Sequence, residues 1–294
     1  MLNITLRRKA RQFGKLVRES AAQRCKGASH RPVLVDSERE LGITFIGHSS
    51  FLVQVGGRTL AIDPNFARWL FILKRLRRPG VRLPDLPALD YVLVTHAHFD
   101  HLHRPSLRAI ARRTRRVRGK APVIIVSKGV GDLVSDLGYS RVIELRWWEG
   151  FEDENVRISA TPANHWGARM LRDSHRGFGG YVIEGGGRSL YHAGDTAYFS
   201  GFKDIGERLA PEIALLPIGA YDPPSFRNVH TSPEDALQGF LDLNAQAMVP
   251  MHYGTFKLSH EPIHEPVPRL LKAAAAAGVT GQVHVLTEGV TRVF

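Results

Sequence analysis

Short apolar runs, separated by glycine and by polar turns, follow one another along most of this chain. From residue 43 onward these runs have the length and the β-branched content of strands. The predicted strands are residues 43–46, 51–55, 59–62, 91–94, 123–126, 141–145, 156–160, 180–184, 189–192, 213–216 and 247–250.

The apolar spacing changes to three and four residues in other segments, which predicts helices over residues 106–116, 203–209, 233–243 and 267–277. Thr231 or Ser232 before Pro233 is typical of a helix start, and Gly278 is typical of a helix end. Two strand-rich halves, each closed by helices, predict an α+β sandwich of two mixed sheets with helices outside.

Charge is concentrated at the start of the chain, where residues 1–31 contain nine Lys/Arg and one acidic residue, so that they carry +8 of the total +12. The same segment has amphipathic helical spacing over residues 5–24. We therefore predict a basic extension and linker at 1–40 and a catalytic domain at 41–294. The extension could bind anionic lipid or nucleic acid, form a solvated helix, or act as an organelle transit peptide.

Composition is that of a soluble globular enzyme, with 43% hydrophobic and 23% charged residues among 294. Cys25 is the only cysteine, which excludes an intramolecular disulfide. We expect neither a signal peptide nor a transmembrane segment, because the start has no apolar core and no run approaches the roughly 20 apolar residues that span a bilayer. The expected location is cytoplasmic, with peripheral membrane association permitted and a homo-oligomer left open.

The most informative segment follows the predicted strand at residues 91–94, where His96, His98, Asp100 and His101 stand within six residues. Imidazole and carboxylate groups are ligands that zinc prefers, and two alternating ligand sets on one loop suit two metal ions. Three further candidate ligands each follow a predicted strand: His165, Asp195 and His252.

These residues form the motif H-x-H-x-D-H, and the sequence resembles metallo-β-lactamase-fold hydrolases. Within them it is similar to the N-acyl-phosphatidylethanolamine-hydrolysing phospholipase D group and its bacterial relatives. The matching strings are residues 46–50 (IGHSS), 62–64 (IDP), 95–101 (THAHFDH), 161–166 (TPANHW), 193–196 (AGDT), 217–221 (PIGAY), 230–236 (HTSPEDA) and 252–256 (HYGTF). The resemblance implies a four-layer αβ/βα sandwich.

The resemblance also implies roles for individual residues. One zinc ion would be held by His96, His98 and His165, and a second by Asp100, His101 and His252, with Asp195 bridging the two. His48 and Asp63 would fix ligand histidines, although either could instead serve only its own turn. His230 would lie near the substrate phosphate, where it orients or protonates an oxygen.

A metal-bridging hydroxide would then attack phosphorus or a carbonyl carbon, with Asp100 or Asp195 as proton acceptor and His230 as proton donor. Diiron redox members of the superfamily carry an acidic residue where this chain has His98. Histidine there favours hydrolysis with two Zn²⁺ ions, while Mn²⁺ or Fe²⁺ remain permitted.

Residues 66–88 bear on the substrate, because an apolar stretch there adjoins a basic cluster. This pattern suits a phospholipid at an anionic membrane surface, with contacts from Trp69, Phe71, Lys74 and Arg75. The favoured function is a phosphodiesterase of phospholipase D type. A zinc hydrolase acting on a lactone or sugar-phosphate lactone is the first alternative. The second, a nucleic-acid-binding protein or nuclease, is disfavoured because aromatic residues do not interleave with the basic ones.

Overall fold

Two large mixed sheets form the centre of the computed structural model, which describes residue 14, residues 16–170 and residues 173–294. The first sheet has the order β15-β1-β2-β3-β6-β7-β8 and the second the order β14-β13-β12-β11-β10-β9. The first sheet contains β1 (Gly42–Gly47), β2 (Ser50–Val55), β3 (Arg58–Ile62), β6 (Tyr91–Val94), β7 (Val123–Ser127), β8 (Arg141–Leu145) and β15 (Thr291–Val293). The second contains β9 (Gly150–Glu152), β10 (Val156–Thr161), β11 (Gly180–Gly185), β12 (Arg188–His192), β13 (Ile213–Pro217) and β14 (Ala247–Met251).

Both sheets combine antiparallel and parallel pairs. Strands β1 to β3 pair antiparallel, and β3, β6, β7 and β8 continue in parallel. In the second sheet β9 to β12 are antiparallel, whereas β12, β13 and β14 are parallel. Parallel neighbours end at the same edge, so the turns that follow β6, β12 and β14 can carry side chains toward one place.

Four helices flank the sheets: α1 (Arg104–Arg118), α2 (Gly201–Leu209), α3 (Pro233–Leu243) and α4 (Pro266–Ala276). Helix α1 buries Leu107 and Ile110 in a cluster with the outer face of the first sheet. The other three helices contribute to the cluster that fills the second sheet and the space between the sheets. This arrangement confirms the predicted four-layer sandwich. No helix in the described part of the chain is long and apolar enough to cross a bilayer.

The predicted strands and helices are present, with shifted ends. Helix α1 begins at Arg104 because the His103 side chain caps its first turn by accepting a hydrogen bond from Ser106 N. Gly278 follows the end of α4 at φ +72°, a conformation that favours glycine. The pattern missed β9, β15 and a separate hairpin of β4 (Trp69–Leu70) and β5 (Leu73–Lys74), all of two or three residues.

Part of the predicted basic extension contacts the main body. Residues 16–22 are helical, and Lys26 N donates to Leu76 O at 2.8 Å while Arg78 N donates to Lys26 O at 2.7 Å. Most of the predicted helix over residues 5–24 lies outside the described residues. The domain boundary after residue 40 therefore stays a prediction.

Candidate metal centre

Turns at one edge of the sandwich bring the predicted ligands together. The loop from β6 to α1 carries four of them, and single side chains come from the segments that follow β10, β12 and β14. Their nitrogen and oxygen atoms form overlapping groups in which every ligand atom lies within 4.8 Å of the others. Residues from both sheets therefore meet in one cluster.

The first group consists of three imidazoles. His98 Nδ1 lies 2.9 Å from His96 Nε2 and 3.2 Å from His165 Nε2. His165 is oriented by its other ring nitrogen, Nδ1, which donates to Val229 O at 2.8 Å. The three nitrogens thus converge on one point, as three protein ligands of a cation would.

The second group surrounds the Asp100 carboxylate. Asp100 Oδ2 lies 3.6 Å from His101 Nε2 and 3.5 Å from His252 Nε2. His48 Nε2 is closer, at 2.9 Å. His48 was predicted to fix ligand histidines, whereas its ring nitrogen contacts the Asp100 carboxylate, and it is also near enough to offer a ligand atom itself.

Asp195 lies between the two groups. Its Oδ2 atom is 3.1 Å from His252 Nε2, 3.2 Å from His101 Nε2, 3.8 Å from His96 Nε2 and 3.9 Å from His165 Nε2. A carboxylate that faces two sets of imidazoles has the position that a bridging ligand needs.

Several atoms of this cluster are buried without a hydrogen-bond partner among the residues that the structure describes. They are His101 Nε2, His252 Nε2 and Asp195 Oδ1. Buried polar atoms are almost always paired, so a cluster of unpaired lone pairs fits a cation held between them. Imidazole and carboxylate suit zinc and accept manganese or iron.

Electrostatics supports the same conclusion. Burial lowers the pKa of His96 and lowers that of His165 to about 3, so both imidazoles are neutral and have a free lone pair. Burial alone would raise the pKa of Asp195, but the adjacent His101 and His252 hold it well below its ordinary value. His96, His165 and the ionised Asp195 are therefore already in the protonation states that metal binding requires. Burial lowers the pKa of His101 and of His252, but the charge of Asp195 outweighs burial and raises both, that of His252 to about 9, so these two rings would release a proton when a cation binds.

Asp63 supports the His101 side chain from behind. It is fully buried, and its Oδ2 accepts from His101 Nδ1 at 2.6 Å and from Thr95 Oγ1 at 2.6 Å, while Oδ1 accepts from Thr95 N at 2.8 Å. Because Nδ1 donates to Asp63, Nε2 of His101 is left free to face the cluster. Asp63 also adopts φ +44°, so its turn role and its supporting role coexist.

His230 lies beside the cluster rather than within the two ligand groups. Its Nδ1 is 3.9 Å from Asp195 Oδ2, and its ring stacks on that of His252 with centroids 5.4 Å apart. Burial lowers its pKa to about 4, so the ring is neutral at pH 7. A neutral imidazole can still donate a hydrogen bond to a substrate oxygen.

Sequence reasoning missed side chains that hold the ligand loop. Asn65 Nδ2 donates to Asp100 O at 2.8 Å. Arg169 Nη1 donates to Ala97 O at 2.5 Å and to Leu102 O at 2.9 Å, so that it joins both ends of the loop. Asn65 could have been found from its place just after Asp63, whereas nothing in the pattern distinguishes Arg169 from the other arginines.

The β4–β5 hairpin projects beside this loop. Trp69 is 43% exposed and Phe71 is 72% exposed, and the Phe71 ring meets the Phe99 ring edge-on at 4.4 Å between centroids. Phe99 lies between the ligands His98 and Asp100. A cavity of about 380 Å³ opens here, lined mainly by the hairpin, Phe99 and the start of α1.

The two basic residues predicted to contact substrate are placed differently. Lys74 Nζ donates to Gln23 O at 2.7 Å and thereby ties the hairpin to the preceding segment. Arg75 is 2% exposed, and its guanidinium donates to Asn65 O and Ala67 O. Arg75 therefore holds the loop from inside, and we do not keep it among the proposed substrate contacts.

Comparison with known proteins agrees with this geometry. The family model described as a β-lactamase superfamily domain matches residues 58–253. The chain belongs to this superfamily. It has the metallo-β-lactamase fold, and the predicted family resemblance is confirmed.

Relatives of this β-lactamase superfamily member include an uncharacterised protein of Mycobacterium tuberculosis, 33% identical over 82% of the chain and 66% of the relative. N-acyl-phosphatidylethanolamine-hydrolyzing phospholipase D 1 of Caenorhabditis elegans is 33% identical over 76% of the chain and 66% of its own length. The chain thus spans slightly less than two thirds of these relatives. Among solved structures, Igni18, a metallo hydrolase of Ignicoccus hospitalis, is 27% identical with a TM-score of 0.66 over 87% of the chain and 98% of its own.

Proposed function

We propose that this protein is a dinuclear zinc phosphodiesterase of phospholipase D type, acting on phospholipids similar to N-acyl-phosphatidylethanolamine. The observation that carries the proposal is the exposed aromatic hairpin and its cavity, which adjoin the ligand loop through Phe99. The name of the Caenorhabditis elegans relative supports the same substrate class.

In this proposal His96, His98 and His165 hold one cation, and Asp100, His101 and His252 hold the other, with Asp195 shared. Two bound cations would lower the pKa of a water molecule toward neutrality and neutralise negative charge on the phosphoryl oxygens. Asp100 or Asp195 would accept a proton from water at this site. His230 orients a phosphoryl or leaving oxygen by hydrogen bonding.

The hairpin supplies the apolar contacts. A cavity of about 380 Å³ is within the usual range for small-molecule sites, and each methylene buried there would contribute about 0.8 kcal/mol. Trp69 and Phe71 would contact acyl chains while the phosphodiester reaches the cluster behind Phe99. Exposed aromatic residues of this kind also suit contact with a membrane surface, where apolar side chains insert among acyl chains.

The basic helix α1 offers less free charge than its sequence indicates. Arg104 and Arg108 both pair with Asp136, at 2.6 Å and 2.9 Å, and Arg118 pairs with Asp90 at 2.6 Å. These pairs reduce the charge available to a polyanion, which makes a nucleic-acid partner the weaker hypothesis. A cytoplasmic location is part of the proposal, which leaves an anionic membrane surface and a homo-oligomer open.

The decisive experiment combines elemental analysis with a substrate screen. Metal-loaded protein is offered vesicles of phosphatidylcholine containing N-acyl-phosphatidylethanolamine, and in parallel a short-chain soluble phosphodiester and a lactone. We expect about two zinc ions per chain and release of phosphatidic acid, both lost in His96→Ala. Turnover of the lactone without any phosphodiester hydrolysis would refute this proposal and indicate a lactonase instead.

Hairpin variants test the lipid contact separately. Phe71→Asn suits the observed φ of +53°, because asparagine tolerates this conformation, and it can be combined with Ile72→Ser. We expect reduced hydrolysis in vesicles and unchanged hydrolysis of the soluble diester. Leu241→Ser, at an exposed position of α3, is the matched control. Equal vesicle activity in the hairpin and control variants would contradict the lipid contact.

A further inference from the structure

A histidine outside both ligand groups connects the turns that carry them. His192 is the last residue of β12 and is fully buried. Its Nε2 lies 2.9 Å from Ser49 O, and Gly194 N donates to its Nδ1 at 3.1 Å. Neither the predicted ligand sets nor their expected supports include this residue.

The two hydrogen bonds define the state of the ring. A backbone carbonyl only accepts and a backbone N–H only donates, so the proton of the imidazole must be on Nε2 and the lone pair on Nδ1. Both ring nitrogens are then satisfied by backbone groups and the ring is neutral. Burial lowers the pKa of His192, which agrees with that state.

One bond fixes the turn of Asp195. Gly194 adopts φ +64°, and a Cβ atom there would lie 2.5 Å from Gly179 O. The turn therefore requires glycine, which by itself has the largest conformational freedom. The hydrogen bond from Gly194 N to His192 restricts that freedom immediately before Asp195.

The other bond reaches the first sheet. Ser49 belongs to the turn between β1 and β2, and its neighbour His48 contacts two of the three members of the second ligand group: Nε2 lies 2.9 Å from Asp100 Oδ2, and the carbonyl accepts from His252 N at 2.9 Å. His192 thus joins the Asp195 turn of one sheet to the turn that supports Asp100 and His252.

We propose that His192 is a positioning residue for the metal centre, which holds Asp195 at a fixed distance from the group formed by Asp100, His101 and His252. This inference rests on the proposed metal centre. The first group is built on the loops after β6 and β10. In the described part of the chain the His192 side chain hydrogen-bonds to neither loop, so the first group should be less affected.

Three substitutions separate the two bonds. His192→Phe keeps a ring but removes both hydrogen bonds. His192→Asn retains an acceptor near the Nδ1 position, and His192→Gln retains a donor near the Nε2 position. His284→Phe removes a partly buried histidine that packs against the Phe294 ring and belongs to none of the ligand groups, and it is the matched control.

The measurements are zinc affinity by competition with a chelator, zinc stoichiometry, and urea unfolding of the metal-free protein. We expect His192→Phe to weaken binding of one of two ions by about 10- to 100-fold, the range found for residues that orient metal ligands. His192→Gln should restore part of that loss, because it keeps the link to Ser49. His284→Phe should leave both affinities unchanged.

Parental zinc affinity in His192→Phe would overturn the inference, and so would an equal loss for both ions. If His192→Phe does not fold, a loss of affinity in both the Asn and Gln variants supports the inference and parental affinity in both overturns it. These outcomes are independent of substrate: a protein that binds two ions but hydrolyses no phosphodiester would refute the proposed function and leave His192 to be judged on metal affinity alone.

Discussion

Replacing Asp63 by asparagine tests whether a buried carboxylate sets the orientation of His101. The substitution keeps the size of the side chain and suits the backbone, because asparagine tolerates the φ of +44° found here. It changes one thing: a group that only accepts hydrogen bonds becomes one that also donates.

The magnitude follows from the three bonds that Asp63 accepts, from His101 Nδ1 and from the amide and hydroxyl of Thr95. Asparagine has only one side-chain oxygen, so its NH₂ group must replace one of the two carboxylate oxygens. It then faces another hydrogen-bond donor, either Thr95 N or His101 Nδ1. The loss of a charge-assisted bond in a buried site predicts that metal-free protein is destabilised by about 3 kcal/mol. If His101 changes tautomer to accept from the amide, its Nε2 gains a proton and zinc affinity falls by about 10- to 100-fold.

The assay is urea unfolding of metal-free protein followed by circular dichroism, together with zinc competition against a chelator. Asp90→Asn is the control, since Asp90 accepts from Thr59 N and pairs with Arg118 far from the ligands. We expect the control to lose stability but not zinc affinity. Parental zinc affinity in Asp63→Asn, or the same loss in both variants, would refute the tautomer argument.

Three further predictions concern the turns, the acid range and the metal. Gly194→Ala should lower the urea midpoint of unfolding by more than Gly187→Ala. Both positions have positive φ, which costs about 1–2 kcal/mol for alanine, but only a Cβ atom at 194 would also clash with Gly179 O. Equal midpoints in the two variants would contradict this reasoning. Hydrogen bonds from Arg176 lower the pKa of Asp132 and Asp173, so the stability that these bonds add is present above about pH 4 and is lost as pH falls. The difference in free energy of unfolding between the parent and Arg176→Met should therefore narrow below that pH. A difference that stays constant with pH would exclude this linkage. Removal of metal with a chelator should lower the melting temperature, and readdition of zinc should restore it. At a free zinc concentration 100 times its Kd, one bound ion stabilises the folded protein by about 2.7 kcal/mol, and the shift should correspond to the loss of that amount. A melting temperature insensitive to zinc would contradict the metal centre.

Much of the sandwich was predictable because its central strands are buried on both faces and therefore appear as continuous apolar runs, as in β6 and β13. The ligand loop was predictable because its donors are close in sequence. Strand β15 was not, since its three residues, two of them exposed, carry no apolar pattern and are placed by distant contacts, chiefly the pairing with β1.

The residues that support the ligand turns also divide into those that were predicted from the sequence and those that were not. Asp63 and His48 were predicted from the resemblance to metallo-β-lactamase-fold hydrolases. His192 and Arg169 act through backbone carbonyls that are distant in sequence, Ser49 in one case and Ala97 in the other. Such contacts depend on how the sheets face each other. A single sequence does not encode them as a local pattern.

The β4–β5 hairpin pairs with neither large sheet, and its buried side packs in a small cluster of its own with Phe256. The surface that we propose to select substrates is therefore built apart from the residues that we propose to hold metal. Changes of length or side chain between Trp69 and Lys74 could alter which molecules are accepted while the ligand turns stay in place. A change of substrate range with the same ligand turns would then require few mutations, and exchange of this hairpin between relatives would be a direct route to new specificities.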